Sequence, residues 1–282
     1  MLGRSGRPRA IYRFEAGRPA EAVVVSSFDE WNPHLSPDAS RVAFESMRGG
    51  GEDEIWLAAA DGSNPTQLTH GPGLWQGSPR WSPDGRRIAF DSYDEDGHSD
   101  IWTIDADGGS LRRLTSSPAA AHMLPTWSHD GRFVYFTSDR GGAQTIGRVP
   151  VAGGPEEQVT HTGGGRCEEA ADGRTLYFQR ATSGDSPLLA VSLAGGQEQT
   201  VIDCVPPWGY ALRRAGIYHE SCGGDPHAVP LLLRDTATGR DRLLGTLDRP
   251  AAGLAVSADG RTILFPKQVG EGADLVLIEN FR

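Results

Sequence analysis

Lysine is all but missing from this chain. Lys267 is the only one, and arginine supplies the rest of the 27 basic residues. We read this as a bias of genome composition, not of chemistry. Cysteine is nearly as scarce, with only Cys167, Cys204 and Cys222. These three show no CxxC or Cys/His spacing for a metal, and an odd, sparse count argues against a disulfide framework. A Cys204–Cys222 bridge is kept as the one exception. No stretch approaches the roughly 18 apolar residues of a membrane span. The first residues, MLGRSGRPRAIYRFEAG, carry positive charge but no apolar run of the kind a signal peptide needs. The chain as written is therefore expected in the cytoplasm, or in the periplasm if it was cut from a longer membrane-anchored or secreted parent. Basic charge is outnumbered, leaving a formal net charge of -10. An acidic chain repels phosphate backbones, which disfavours direct nucleic-acid binding and, on the same ground, membrane-surface binding. The usual catalytic signatures are also missing. There is no G-x-S-x-G elbow, no HExxH and no P-loop.

What is there in abundance is turn material. The chain has 37 glycines and 19 prolines, yet 38% of its residues are apolar. That combination suits many short strands joined by tight turns, not disorder. The clearest unit is GSPRWSPDGRRIAFDSYDEDGHSDIWTIDADGGSLRRLT, residues 77–115. Ser78–Ser82 reads as a short strand ending in the turn Ser82-Pro83-Asp84-Gly85. Arg87–Ser92 alternates Ile88 and Phe90 with polar neighbours, Asp100–Asp105 carries Ile101, Trp102 and Ile104, and Leu111–Thr115 follows the Asp107-Gly108-Gly109 hairpin. Period-2 alternation broken by Pro-Asp-Gly and Asp-Gly is an antiparallel pattern.

The unit repeats. Its turn recurs as SPDA from Ser36, SPDG from Ser82, SHDG from Ser128, AADG from Ala170 and SADG from Ser257, with a degenerate RRAG at Arg213. The spacings are 46, 46, 42, 43 and 44 residues, close to the period of roughly 40–45 that marks four-stranded propeller blades. Each turn is followed by an apolar strand, at 41–46, 87–92, 133–138, 175–180, 216–221 and 262–267, and then by a third strand, the last at 274–279. The expected fold is all-β, a six-bladed β-propeller of four-stranded antiparallel blades filling residues 1–282. The blades fall near 32–73, 77–119, 123–164, 167–207, 208–249, and 250–282 with 10–27. Glu21–Ser27 is expected to close the ring by completing the last blade, which leaves Ala10–Phe14 surplus.

The recurring turn aspartates Asp38, Asp84, Asp130, Asp172 and Asp259 read as local caps, because Pro presets φ and Gly accepts positive φ beside them. Trp81, Trp127, Trp56 and Trp102 read as packing between blades. The runs PRWSPDGRRIAF at 79–90, SDIWTIDADGG at 99–109 and RRLT at 112–115 resemble the TolB-like propeller repeat, a relative of WD40 blades. The segments FESMRGGGEDEIWLAAADGSNPTQLT at 44–69 and DLVLIENFR at 274–282 resemble more particularly the C-terminal sensor propellers of bacterial winged-helix regulators. That resemblance implies an input or interaction module.

Propellers generally bind where the loops before the inner strands converge. Trp31, His34, Trp75, Arg80, His122, Arg166, Glu168 and Trp208 occupy that region and would suit a peptide or a small polar ligand. The expected function is a non-catalytic binding or sensing propeller in a bacterial regulatory or envelope system, monomeric, with a protein or small molecule as partner. The alternative is a metal-assisted lyase or hydrolase working in the pore, with His34, His122 and Glu168 gathered around a metal or as acid–base partners. Glu169, standing where other blades carry Trp81 and Trp127, needs a partner if buried, and Arg180 or Arg166 would serve. No cofactor is required, although Asp94, Asp96 and Asp100 cluster hard oxygens in one loop and make that loop a candidate calcium site.

Overall fold

The computed structural model describes residues 9–117 and 120–269. It consists of six four-stranded antiparallel sheets. Blade 1 comprises Glu30–Leu35, Arg41–Ser46, Glu54–Ala59 and Thr66–Gln67; blade 2 comprises Trp75–Trp81, Arg87–Tyr93, Ser99–Asp105 and Arg112–Arg113. Blade 3 runs through His122–Trp127, Phe133–Ser138, Thr145–Pro150 and Glu157–Gln158, and blade 4 through Cys167–Glu169, Thr175–Gln179, Ser186–Ser192 and Gln199–Val205. Blade 5 is Tyr210–Arg213, Gly216–Glu220, Val229–Arg234 and Asp241–Leu247. In each of these the strands follow one another from the axis outward. No helix among the described residues is long and apolar enough to cross a membrane.

Blade 6 takes half its strands from each end of the chain. Ala255–Val256 and Ile263–Gln268 are its inner pair, Arg9–Phe14 is third and Glu21–Val24 is outermost. The register runs from Arg9 opposite Gln268 to Phe14 opposite Ile263. Ala10–Phe14 is therefore not surplus. It holds the third-strand position that the sequence pattern gave to 274–279, a segment outside the described residues. The reason is burial. Ile11 is fully buried between blades 6 and 1, packed with Val24, Leu35, Val42, Phe44 and Leu264. An edge strand with that much apolar surface would otherwise face water.

The repeat turns act as local caps. In blade 2 the Ser82 hydroxyl donates to Asp84 Oδ1 at 2.6 Å, and that oxygen also accepts the Arg86 amide at 3.1 Å. The Ser82 hydroxyl in turn accepts the Arg87 amide at 2.9 Å. Ser36, Ser128 and Ser257 repeat the arrangement with Asp38, Asp130 and Asp259. These bonds favour the carboxylate, so Asp38 is held down at about 2, chiefly by the Ser36 hydroxyl. Between blades the tryptophans pack as expected. Trp81 lies with Ala43, Ile55 and Leu57 of blade 1, and Trp127 with Ala89 and Ile101 of blade 2. Arg41 lies over the Trp81 ring at 4.5 Å and Arg87 over Trp127 at 5.1 Å, which fixes both rings by cation–π contact. Lys267 pairs with Asp248 at 2.7 Å.

Candidate functional site

The inner strands begin with a bulge. Pairing slips between Trp31 and His34, between Gly77 and Arg80, and between Met123 and Thr126. A proline stands in each slip: Pro33, Pro79 and Pro125. Proline has no amide to give a ladder, so inside a sheet it belongs at a bulge. The residue before it turns left-handed, with φ of 49° at Asn32, 52° at Ser78 and 55° at Leu124. The strained amides of Ser78 and Leu124 are held by side chains from the second strand of the preceding blade. Glu45 Oε1 accepts the Ser78 amide at 2.5 Å and the Asn32 side-chain amide at 2.7 Å. Asp91 Oδ2 accepts the Leu124 amide at 2.7 Å. Gln179 Oε1 accepts the amide of Trp208 at 2.8 Å, another residue with positive φ, 57°.

This latch positions one mouth of the ring. A cavity of about 450 Å³ opens among Trp31, Trp75 and Trp208, with Tyr93, Glu45 and Asp91 also in its wall. Trp31 and Trp208 stack at 6.1 Å between ring centroids and 29° between planes. Arg9 lies over the Trp31 ring at 4.5 Å and is bound to Asp29. The Trp75 indole N–H donates to Glu52. Burial raises the Glu45 carboxyl to about 8 against the pull of the Ser78 amide, and burial likewise raises Asp91. The mouth is thus aromatic around its rim and acidic in its wall.

The opposite ends of the inner strands shape a second cavity, of about 370 Å³, to which every blade contributes. His34, Arg80 and Glu168 lie here, with Arg213, and not at the aromatic mouth. Arg166 lies buried between the strands. It donates to the Trp208 carbonyl at 2.9 Å and to Glu168 Oε1 at 2.5 Å. The proposed single funnel is therefore two sites. An extended strand rises about 3.3 Å per residue, so Trp31 and His34, or Gly77 and Arg80, are separated along the axis by too much to share one mouth.

His122 belongs to neither. It is fully buried between blades 2 and 3 against Phe136, with centroids 4.7 Å apart, and its nitrogens lie 3.6 Å from Asp100 and 3.8 Å from Glu156. Burial lowers its pKa. His34, His122 and Glu168 do not converge, and the pore metal or acid–base arrangement loses its geometry. Glu169 accepts the Tyr135 hydroxyl at 2.7 Å and does not pair with Arg180 or Arg166; its neighbour Glu168 takes the arginine. Nor do Asp94, Asp96 and Asp100 gather. Asp94 Oδ1 accepts the amides of Asp96 and His98 in its own turn, while Asp100 holds Arg113 and Thr115. Among the described residues, the one trio of carboxylate, histidine or cysteine ligand atoms within 4.8 Å is Asp185, Cys204 and Cys222. Its two sulfurs are bonded to each other, so the bridge kept as the one exception is present.

Glu45, Asp91, Tyr93 and Arg213 were not singled out from the sequence. The first two could have been, because the second strand carries an acid after its aromatic in FES at 44–46 and FDS at 90–92. Arg213 hid in the degenerate turn, where it replaces the usual serine. His122 was misplaced for a readable reason. It stands six residues before its turn serine, as Glu30 and Gln76 do, and all three are fully buried. One residue of offset flips a side chain to the other face.

A closed ring of six four-stranded sheets, with a cavity at each end of its inner strands, defines a six-bladed β-propeller. The chain belongs to the family of the Tricorn protease N-terminal β-propeller domain, whose model matches residues 51–202, more than half of the chain. No curated protein sequence matches it significantly. Among solved structures it is similar to a putative TolB from Agrobacterium tumefaciens, at 21% identity and a TM-score of 0.72, over 94% of this chain and 100% of that one. TolB from Acinetobacter baumannii aligns with a TM-score of 0.64 at 20% identity, over 94% of this chain and 65% of its own. A puromycin-hydrolyzing peptidase from Mycobacterium tuberculosis gives 0.60 at 17% identity, over 81% of this chain and 40% of the peptidase.

Proposed function

We propose that the protein is a binding propeller that captures a protein segment or small ligand carrying a basic group at the aromatic mouth. The observation that carries this reading is the convergence of Trp31, Trp75 and Trp208 on one cavity whose wall holds Glu45 and Asp91. Aromatic faces attract cations, more strongly where water is excluded, and Arg9 over Trp31 is an internal instance of such a contact. The buried carboxyls add to this. Their raised pKa values fall when a cation arrives, so capture releases protons. The left-handed backbone at Trp208, held through its amide by Gln179 and through its carbonyl by Arg166, fits a site in which local strain presents a side chain. Such a module would serve as the input or interaction part of a bacterial regulatory or envelope system. The Cys204–Cys222 bridge supports an oxidising compartment such as the periplasm.

The test is calorimetric titration with short peptides of basic, neutral and acidic character. Basic peptides should bind, and replacing Trp31, Trp75 and Trp208 together by Ala should abolish binding while the melting curve changes little. Equal binding of acidic peptides, or binding undiminished in the triple variant, would refute the reading.

A further inference from the structure

The second cavity holds a charge that its own side chains do not balance. Arg80, Arg166 and Arg213 stand around the inner strands, and Glu168 answers only two of them. Its Oε1 accepts from Arg166 at 2.5 Å, and its Oε2 from Arg213 at 3.3 Å and from the Leu212 amide at 2.9 Å. Both oxygens are then used. Glu169, the other carboxylate in the wall, is engaged with Tyr135.

Arg80 is 4% exposed, and every hydrogen bond it makes is to a neutral oxygen. Its terminal nitrogens reach Asn32 Oδ1, each at 3.2 Å, and the Pro79 carbonyl at 2.7 Å. Its Nε–H has no partner among the described residues. A buried guanidinium normally faces an anion, because burial without one is costly. The strain shows in its acidity, since burial, reinforced by Arg166, drives its pKa down to about 9.

His34 adds a donor. Its Nδ1 accepts the Trp81 amide at 3.0 Å, and burial with the nearby arginines keeps the ring neutral. The proton of the neutral ring is then on Nε2. Beside these donors, between the turn serines Ser36, Ser82 and Ser128, the wall has an apolar stretch that includes Trp81, Trp127 and Pro83.

We propose that this mouth is a carboxylate-binding site, in which an organic acid enters between the first turns of the blades. Its carboxylate takes the free N–H groups of Arg80 and Arg213 and the Nε2–H of His34. Its apolar body lies against Trp81, Trp127 and Pro83. Paired arginine forks suit the two coplanar oxygens of a carboxylate, and the apolar wall selects against a bare inorganic anion. The site stands independently of the aromatic mouth. The acid has two sources, a free small molecule or the C-terminus of a peptide.

The experiment titrates the whole protein calorimetrically with benzoate, succinate, an N-acetylated tripeptide of neutral side chains with a free C-terminus, the same acetylated tripeptide amidated, and inorganic phosphate; acetylation removes the basic group that the aromatic mouth would take. Saturable binding of the small acids or of the free tripeptide, but not of its amide, supports the site, and which of the two binds identifies the source. Arg80→Gln should weaken that binding about ten- to a hundred-fold, the worth of a lost charge-assisted hydrogen bond. Arg213→Gln is the second variant, should Arg80→Gln not fold. Leu243→Ala, exposed on the outer strand of blade 5 and outside both cavities, should leave binding unchanged. No saturable binding by any carboxylate, phosphate binding as tightly as the acids, or full binding in the folded arginine variants would overturn the assignment.

Discussion

At the scale of single residues, one position repeats around the ring with a different outcome each time. Glu45, Asp91 and Gln179 each give an oxygen to an amide at the start of the next inner strand. Thr137 instead donates to the Gly165 carbonyl, at 3.4 Å. Glu220 holds the same place in blade 5, is 3% exposed, and its Oε1 has no hydrogen-bond partner among the described residues. Burial alone raises its carboxyl to about 8. The sign follows from linkage. Between about pH 4.5 and 8 the folded chain keeps a proton that the unfolded chain has lost, so this residue removes stability progressively as pH rises across that window. Below it the penalty is absent, and above it the penalty is constant. Glu220→Gln should therefore be more stable than the parent by roughly 1–3 kcal/mol at pH 8, with the gain shrinking toward pH 5. Urea denaturation at several pH values measures the difference, and a pH-independent difference would contradict this account. Glu45 titrates in both chains and cancels.

At the scale of elements, what was legible in the sequence is what is local. The serine–aspartate turns, the alternation in Arg87–Tyr93 and the tryptophans before the turns all depend on neighbours a few residues away. Pairing between the chain's ends does not, and Arg9–Phe14 shows the consequence. Its alternation announced a strand, but nothing within it said whether a sheet edge would be waiting for it. The same limit divided the candidate site. Spacing placed Trp31, His34, Trp75 and Arg80 together where the loops enter the inner strands, but the bulges at Pro33 and Pro79 decide which end each side chain faces, and a bulge follows from the preceding blade's side chains as much as from the proline. The third-strand assignment in blade 6 is directly testable. Ile11 is fully buried there, so Ile11→Ala should cost about 2–5 kcal/mol in chemical denaturation. A surplus strand lying loosely at an edge would tolerate the change with almost no loss.

At the scale of the whole molecule, a ring is only as strong as the joins between its blades. Five joins follow the chain directly, and the sixth is the shared sheet of blade 6. Between blades 4 and 5 there is a covalent addition, because Cys204 lies on the outer strand Gln199–Val205 and Cys222 follows the second strand Gly216–Glu220. This is where the repeat is weakest. Blade 4 has Ala170 in place of the turn serine and blade 5 has the RRAG turn, so the hydroxyl–carboxylate cap of the other blades is missing from both. A bridge closing 18 residues of chain restricts the unfolded state by an amount worth about 3 kcal/mol in the chain-entropy account. Cys204→Ser with Cys222→Ser should lose stability on that order, and a reductant should lower the melting temperature of the parent toward that of the double variant. Cys167 is buried and its thiol is pushed upward by burial, so it stays inert in the fold. Thiol titration of the denatured, unreduced protein should then count one reactive group, rising to three after reduction. Three groups before reduction would show that the bridge does not form, and would remove with it the support for an oxidising compartment.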